Sequence, residues 1–109
     1  MEKNIYSNPE FFGLEIVAEL SKDISYQFDQ LVVLRNKKTN KHYIMQDSGC
    51  SCPIPFEDMT IETLEELGIK NIDSLPNRVN DWNETYSKVS LLECLTFIKK
   101  VKESIEGGK

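Results

Sequence analysis

The stretch from Tyr26 to Asp47 constrains the fold more than any other part of the chain. YQFDQLVVLRN, Tyr26 to Asn36, is rich in aromatic and β-branched residues, KKTNK follows as a polar turn, and KHYIMQD returns with strand character. Such side chains fit a pleated, half-buried surface. Asn36 and Asn40 tolerate the backbone shapes that a hairpin turn requires. The two runs therefore predict an antiparallel pair, with the chain leaving the sheet at Gln46 or Asp47. Upstream, GLEIVAELS from Gly13 to Ser21 alternates Leu14, Ile16, Ala18 and Leu20 with Glu15, Val17 and Glu19. That period of two predicts a third strand, half-buried, with a helix as the competing reading.

Helical signals follow the strands. Thr60 can cap a short helix, IETLEEL, that ends at Gly68, where a left-handed residue costs little. Between Asn71 and Lys88, Ser74 followed by Leu75 and Pro76 predicts a helix over residues 76–84, although the Asn and Asp residues there favour turns. The last helix is the best marked. Ser90 and Glu93 form an S-x-x-E capping box, and Leu91, Leu95, Ile98, Val101 and Ile105 recur at helical spacing before Gly107 and Gly108. The expected architecture is α+β: a three-stranded antiparallel meander packed against a C-terminal helix, with a short helix after the DSGCSCPIPFE loop. Its 109 residues, 39% of them apolar, suffice for one domain over residues 1–109 with its own core.

The loop DSGCSCPIPFED, Asp47 to Asp58, is the most unusual stretch. Asp47 and Ser48 can bond backbone amides ahead of them, Gly49 allows a positive φ, and Pro53 and Pro55 hold Cys52 and Ile54 extended. Phe56 would anchor this stiff corner to the core, leaving the carboxylates of Glu57 and Asp58 at the start of the next helix, where its dipole favours them. In this reading the cysteines are small buried residues that fill space.

The loop resembles the D-S-G-C-S-C-P-x-P-F-E signature of a family of small, mostly phage-encoded or prophage-encoded proteins of unknown function, in which it follows a strand hairpin. Asp47, Ser48, Gly49, Cys50, Ser51, Cys52, Pro53, Pro55, Phe56 and Glu57 stand in place, and Ile54 occupies the variable position. The resemblance is carried by residues 26 to 67. It implies a viral or mobile-element origin and brings no activity with it.

Two chemical alternatives use the thiols. A structural zinc site wants four Cys or His ligands, and C-x-C is shorter than the usual knuckle. Cys94 and His42 would have to complete it, yet Cys94 falls on the apolar stripe of the last helix. A nucleophilic thiol needs a base or a positive field, and Asp47, Glu57 and Asp58 oppose that. With one histidine in the chain, most catalytic constellations lack a part. The expectation is a non-enzymatic protein without metal or cofactor; the alternative is a small zinc-stabilised or thiol-active protein built around Cys50 and Cys52.

Charge ranks the partners. The formal net charge of −5 is concentrated in residues 47 to 87, which carry nine acidic side chains against Lys70 and Arg78. That disfavours nucleic acid, whose phosphates need Lys and Arg, and suits a protein with a basic surface. The chain also lacks an apolar run of about 18 residues, and MEKNIYSNPEFF lacks the layout of a signal peptide, so a cytoplasmic protein off the membrane is expected. The candidate binding residues are Asp47, Ser48, Cys50, Cys52, Glu57, Asp58, Glu62, Glu65 and Glu66, serving a small binding module that docks on a host or phage protein, possible inhibition of a host enzyme or defence system included. Oligomeric state is left open by the sequence.

Overall fold

The computed structural model describes residues 4–22, 27–50, 56, 59–84 and 89–107. Strands β1 (Leu14–Ser21), β2 (Gln27–Asn36) and β3 (His42–Cys50) form the expected antiparallel meander. Asn40 takes the positive φ of 63° expected of the hairpin turn, and the Asn36 side chain accepts the amides of Lys38 and Thr39 at 2.9 and 3.1 Å. Helices α1 (Leu75–Asn83) and α2 (Leu91–Gly107) follow. The α+β class is as expected.

The sheet, however, has four strands. A short β4 (Glu65–Leu67) pairs with β3 through Glu65 opposite Ile44, Glu66 opposite Tyr43 and Leu67 opposite His42. The helix expected over IETLEEL is instead a 3-10 turn at Ile61–Thr63 followed by this strand. Side-chain direction explains the difference. In a helix Leu64 and Leu67 would share a face; three residues apart in extended chain they point to opposite faces, and each packs into a different apolar cluster. The chain also stays in the sheet longer than expected, since β3 runs to Cys50 and includes Gly49.

Both faces of the sheet are covered. On β2, Leu31, Val32, Val33 and Leu34 are all at most 2% exposed, so a single covering layer would leave half of them in water. Leu31 and Val33 pack with α1 and α2 through Leu75, Val79, Trp82, Phe97 and Val101. Val32 and Leu34 pack on the other side with Ile5, Leu14, Met45 and Phe56. The alternation expected along β1 is interrupted by a bulge: Ile16 stands opposite Leu34 and Ala18 opposite Val33, leaving Val17 without a partner position. An extra residue reverses the facing of everything beyond it. Hence Leu14 joins the cluster away from the helices, whereas Ala18 and Leu20 join the helix-side cluster with Val17 packed against it.

Helix α2 is capped as expected on one side of the box, the amide of Glu93 donating to Ser90 Oγ at 3.2 Å. Its buried stripe is Cys94, Phe97, Val101 and Ile105. That corrects the N-terminal half of the expected stripe, because Leu91 and Leu95 are 73% and 54% exposed. The two stripes coincide at Val101 and Ile105 and diverge towards the N-terminus, where the helix turns Phe97, the largest apolar side chain available, onto the sheet. Val101→Asp should therefore cost on the order of 4 kcal/mol by burying an unpaired charge, and Leu95→Asp under about 1 kcal/mol. Urea unfolding of the two variants checks the orientation; equal losses would contradict it.

Candidate functional site

The end of the hairpin is fastened by one carboxylate. Asp47 Oδ1 accepts the amide of Ser48 at 2.9 Å, and Asp47 Oδ2 accepts the amide of Phe56, also at 2.9 Å. Phe56 is 1% exposed, its ring 5.2 Å from that of Tyr6, and its carbonyl accepts the amide of Met59 at 3.1 Å. The expected anchor and the expected role of Asp47 are both present. The positive φ expected at Gly49 falls on Phe56, at 63°. A bulky residue in that region is strained. The bond from Asp47 and the buried ring hold it there.

On the helix side of the same strand ends lies a buried polar cluster. The ammonium of Lys22, whose side chain is fully buried, donates to the carbonyl of Trp82 at 2.6 Å and lies 3.6 Å from Asp29 Oδ2 and 4.6 Å from the Trp82 ring centroid. Asp29 Oδ1 accepts Trp82 Nε1 at 2.8 Å and Gln46 Nε2 at 2.9 Å. Burying a charge is costly unless it is paired and its remaining valences are met. Here each partner completes the other, and the cluster ties β1, β2, β3 and α1 together.

Outside this cluster opens a cleft of about 410 Å³ between α1 and the ends of β2 and β3, lined by Asp29, Leu31, Gln46, Ser48, Arg78, Asp81 and Trp82. The Arg78 guanidinium at its rim is ion-paired with Glu65 of β4. The floor is polar with one indole wall, and the surroundings are acidic. Such a cleft is suited to a cationic or amide-bearing side chain.

The predicted residues divide around this cleft. Ser48 lines it, and Glu65 holds its rim through Arg78. Asp47 points to the other face, where it fastens Phe56. Glu62 and Glu66 are exposed on and beside β4. Without the expected helix, Glu65 and Glu66 are adjacent strand residues that point to opposite faces. The Cys50 backbone ends β3; its side chain, together with Cys52, Glu57 and Asp58, lies outside the described residues.

The completing ligands of the zinc alternative are far apart. His42 Nε2 lies 2.7 Å from Ser104 Oγ, and Ser104 is ten residues along α2 from Cys94, about 15 Å at helical rise. Cys50 is at the opposite end of β3 from His42, about 26 Å in extended chain. Cys94 is a buried free thiol whose pKa burial pushes up, with Glu93 adding to the effect.

Sequence reasoning passed over Lys22, Asp29, Gln46, Arg78, Asp81 and Trp82 as site residues. A signal existed for Asp29: it shares strand parity with Leu31 and Val33, so a carboxylate is directed into the helix-side core and must find partners there. Its partners come from β1, β3 and α1, and no local pattern announces them.

An antiparallel sheet sandwiched between two helices and an apolar N-terminal segment, with a polar cleft at one end, defines a small α+β domain. The chain belongs to the family described as Domain of unknown function (DUF7574), whose family model matches residues 3–105. No curated protein and no solved structure matches it.

Two stability predictions follow from these contacts. Asp29→Ala removes the carboxylate that Lys22, Trp82 Nε1 and Gln46 share and should cost about 3 to 5 kcal/mol, against about 1 to 3 kcal/mol for Asp47→Ala; chemical denaturation of both variants provides the comparison. The second concerns His42. Burial lowers its pKa and Arg35 lowers it further, opposed by a hydrogen bond with the Asn40 backbone and by the Glu15 carboxylate. Its folded pKa lies below the unfolded value of about 6.5, so the unfolded chain binds the proton more readily and stability falls as pH drops through and below that value. Between about pH 7 and 5 the wild type should lose stability that His42→Gln does not lose; parallel curves would remove His42 as the cause.

Proposed function

We propose that the protein is a non-catalytic binding module that docks a basic surface of a partner protein through the acidic side formed by β4 and α1. The observation that carries this reading is the distribution of exposed charge there. Glu62, Glu66, Asp73, Asp81 and Glu84 are exposed, and of the two basic residues in the segment Arg78 is already paired with Glu65. Glu66 points to the face of β4 opposite Glu65 and α1, so the acidic side spans both faces of this edge; exposed like charges in excess raise the local potential and steer an oppositely charged partner.

The adjoining cleft gives such a partner a place to insert one cationic side chain beside Asp81, with Asp29 and Ser48 at the floor. Support for a non-catalytic role comes from His42, the chain's single histidine, which is buried against Ser104 away from this cleft. The resemblance of the DSGCSCPIPFE stretch to phage-borne proteins favours a host or phage protein as the partner, and inhibition of a host enzyme or defence system as the consequence of docking.

The test is the association rate with a partner captured by the tagged chain, measured at low and high salt. Glu62→Lys, Glu66→Lys and Asp81→Lys combined should slow association on the order of tenfold at low salt with the fold intact, and the wild-type advantage should shrink at high salt. Rates that are equal and insensitive to salt would reject the acidic side as the docking surface.

A further inference from the structure

The opposite side of the sheet presents a different surface. β1 is an edge strand, hydrogen-bonded among the described residues only to β2. Which of its backbone groups face outward follows from the ladder. The amide of Lys22 donates to the carbonyl of Asp29 at 3.0 Å, which makes that pair hydrogen-bonded. In an antiparallel ladder hydrogen-bonded and non-hydrogen-bonded pairs alternate. Leu20 opposite Leu31 is therefore a bonded pair, and Ser21 opposite Gln30 and Glu19 opposite Val32 are not. The amides and carbonyls of Glu19 and Ser21 accordingly point away from the sheet.

Beside this stretch runs a groove of about 460 Å³ between β1 and α2, lined on the strand by Ala18 to Ser21 and on the helix by Leu92, Glu93, Thr96, Phe97 and Lys100. Leu92 is 74% exposed at its margin. The bulge at Val17 ends the regular edge on the other side. Only a short, extended segment can pair here.

We propose that the occupant is the same edge of a second copy, the two β1 strands pairing antiparallel about a two-fold axis through Leu20 to give one continuous eight-stranded sheet. Three features select this occupant. First, with Leu20 opposite Leu20 of the second copy, Glu19 falls opposite Ser21 and Ser21 opposite Glu19. All four outward-facing groups of each strand then meet complementary groups, in two bonded pairs flanking a non-bonded one, as the ladder requires. Second, of the other registers of matching parity that leave the bulge out of the centre, the one centred on Glu19 places Glu19 opposite Glu19, and like charges directly opposite are destabilising, while the one centred on Ser21 carries Glu19 past the end of the partner strand at Ser21 and leaves its outward groups without a strand residue opposite.

Third, Glu93 and Lys100 are seven residues apart on one stripe of α2, with Thr96 between them. A two-fold axis through the interface runs the helices antiparallel, so each Glu93 faces Lys100 of the second copy. The same patch thus serves both sides, the requirement of an isologous interface. Leu92 is covered at the same time. Pairing also removes an open edge that would otherwise accept any extended chain. The acidic side at β4 and α1 lies across the sheet from this interface and stays available in the dimer.

The experiment is sedimentation equilibrium over a concentration series, with far-UV circular dichroism as the check on folding. The wild type should reach twice its chain mass of 12.6 kDa. Ser21→Pro removes an outward amide that takes no part in the β1–β2 ladder, so it should leave the fold intact and weaken the dimer on the order of tenfold or more. Glu93→Lys and Lys100→Glu should each weaken it, and the double charge swap should restore it. A wild type that stays monomeric overturns the proposal and leaves the edge to an extended segment of other origin. A dimer indifferent to Ser21→Pro and to the single charge reversals overturns it equally, since association would then use another surface.

Discussion

Four consecutive buried residues, Leu31 to Leu34 on β2, impose the architecture. Alternation sends two of them to each face, and at about 25 cal/mol per Å² of apolar surface neither pair can be left in water without a substantial loss. One face is therefore covered by α1 and α2, and the other by the N-terminal segment around Ile5 and by Phe56, Met59, Ile61 and Leu64. The second layer explains the oddities of the chain between β3 and β4. That stretch must return across the sheet, place Phe56 over Val32 and Leu34, and then supply an edge strand to β3. Phe56 takes its place over that face with a positive φ, held by Asp47.

The same alternation produces the polar cluster. Asp29 continues the helix-side row of Leu31 and Val33 one step beyond the apolar core, where α1 ends at Trp82 and Asn83. A carboxylate there is neither in water nor in hydrocarbon. It is retained because Lys22, Trp82 and Gln46 arrive from three other elements to satisfy it. Replacing such a cluster by apolar side chains is often neutral for stability. Its retention beside a cleft that adjoins the acidic side, lined by Ser48 and Asp81, is the arrangement that relates the core to the candidate site.

Much of this was legible from local pattern alone: the hairpin and its Asn40, the helix near 76–84, the C-terminal helix, and the anchoring of the loop by Asp47 and Phe56. Each depends on residues close in sequence. The misread parts depend on partners distant in sequence. IETLEEL has helical spacing, yet the unpaired edge of β3 draws Glu65 to Leu67 into a strand. The regular alternation of β1 hides a bulge, because only the partner strand reveals that Val17 is an extra residue. Leu91 and Leu95 fit a helical stripe as well as Cys94 and Phe97 do, and contact with the sheet decides between them. For the candidate site, acidic composition singled out residues 47 to 87, whereas the cleft and its cluster required strand parity to be combined with the position of α1.

The two edges of the sheet are treated in opposite ways, and this bears on what each can do. β4 is three residues long and carries Glu65 and Glu66, two means by which edges are kept from pairing. β1 is eight residues long, and its bulge shortens the regular edge without closing it. An edge left open beside a partly apolar groove is a hazard unless something regularly covers it. A short edge bounded by a bulge on one side and by the Lys22–Asp29 pair on the other accepts only a strand of matching length and register. A second copy supplies one by symmetry in the proposed dimer, whereas the docking proposed for the β4 side rests on charge and not on backbone pairing.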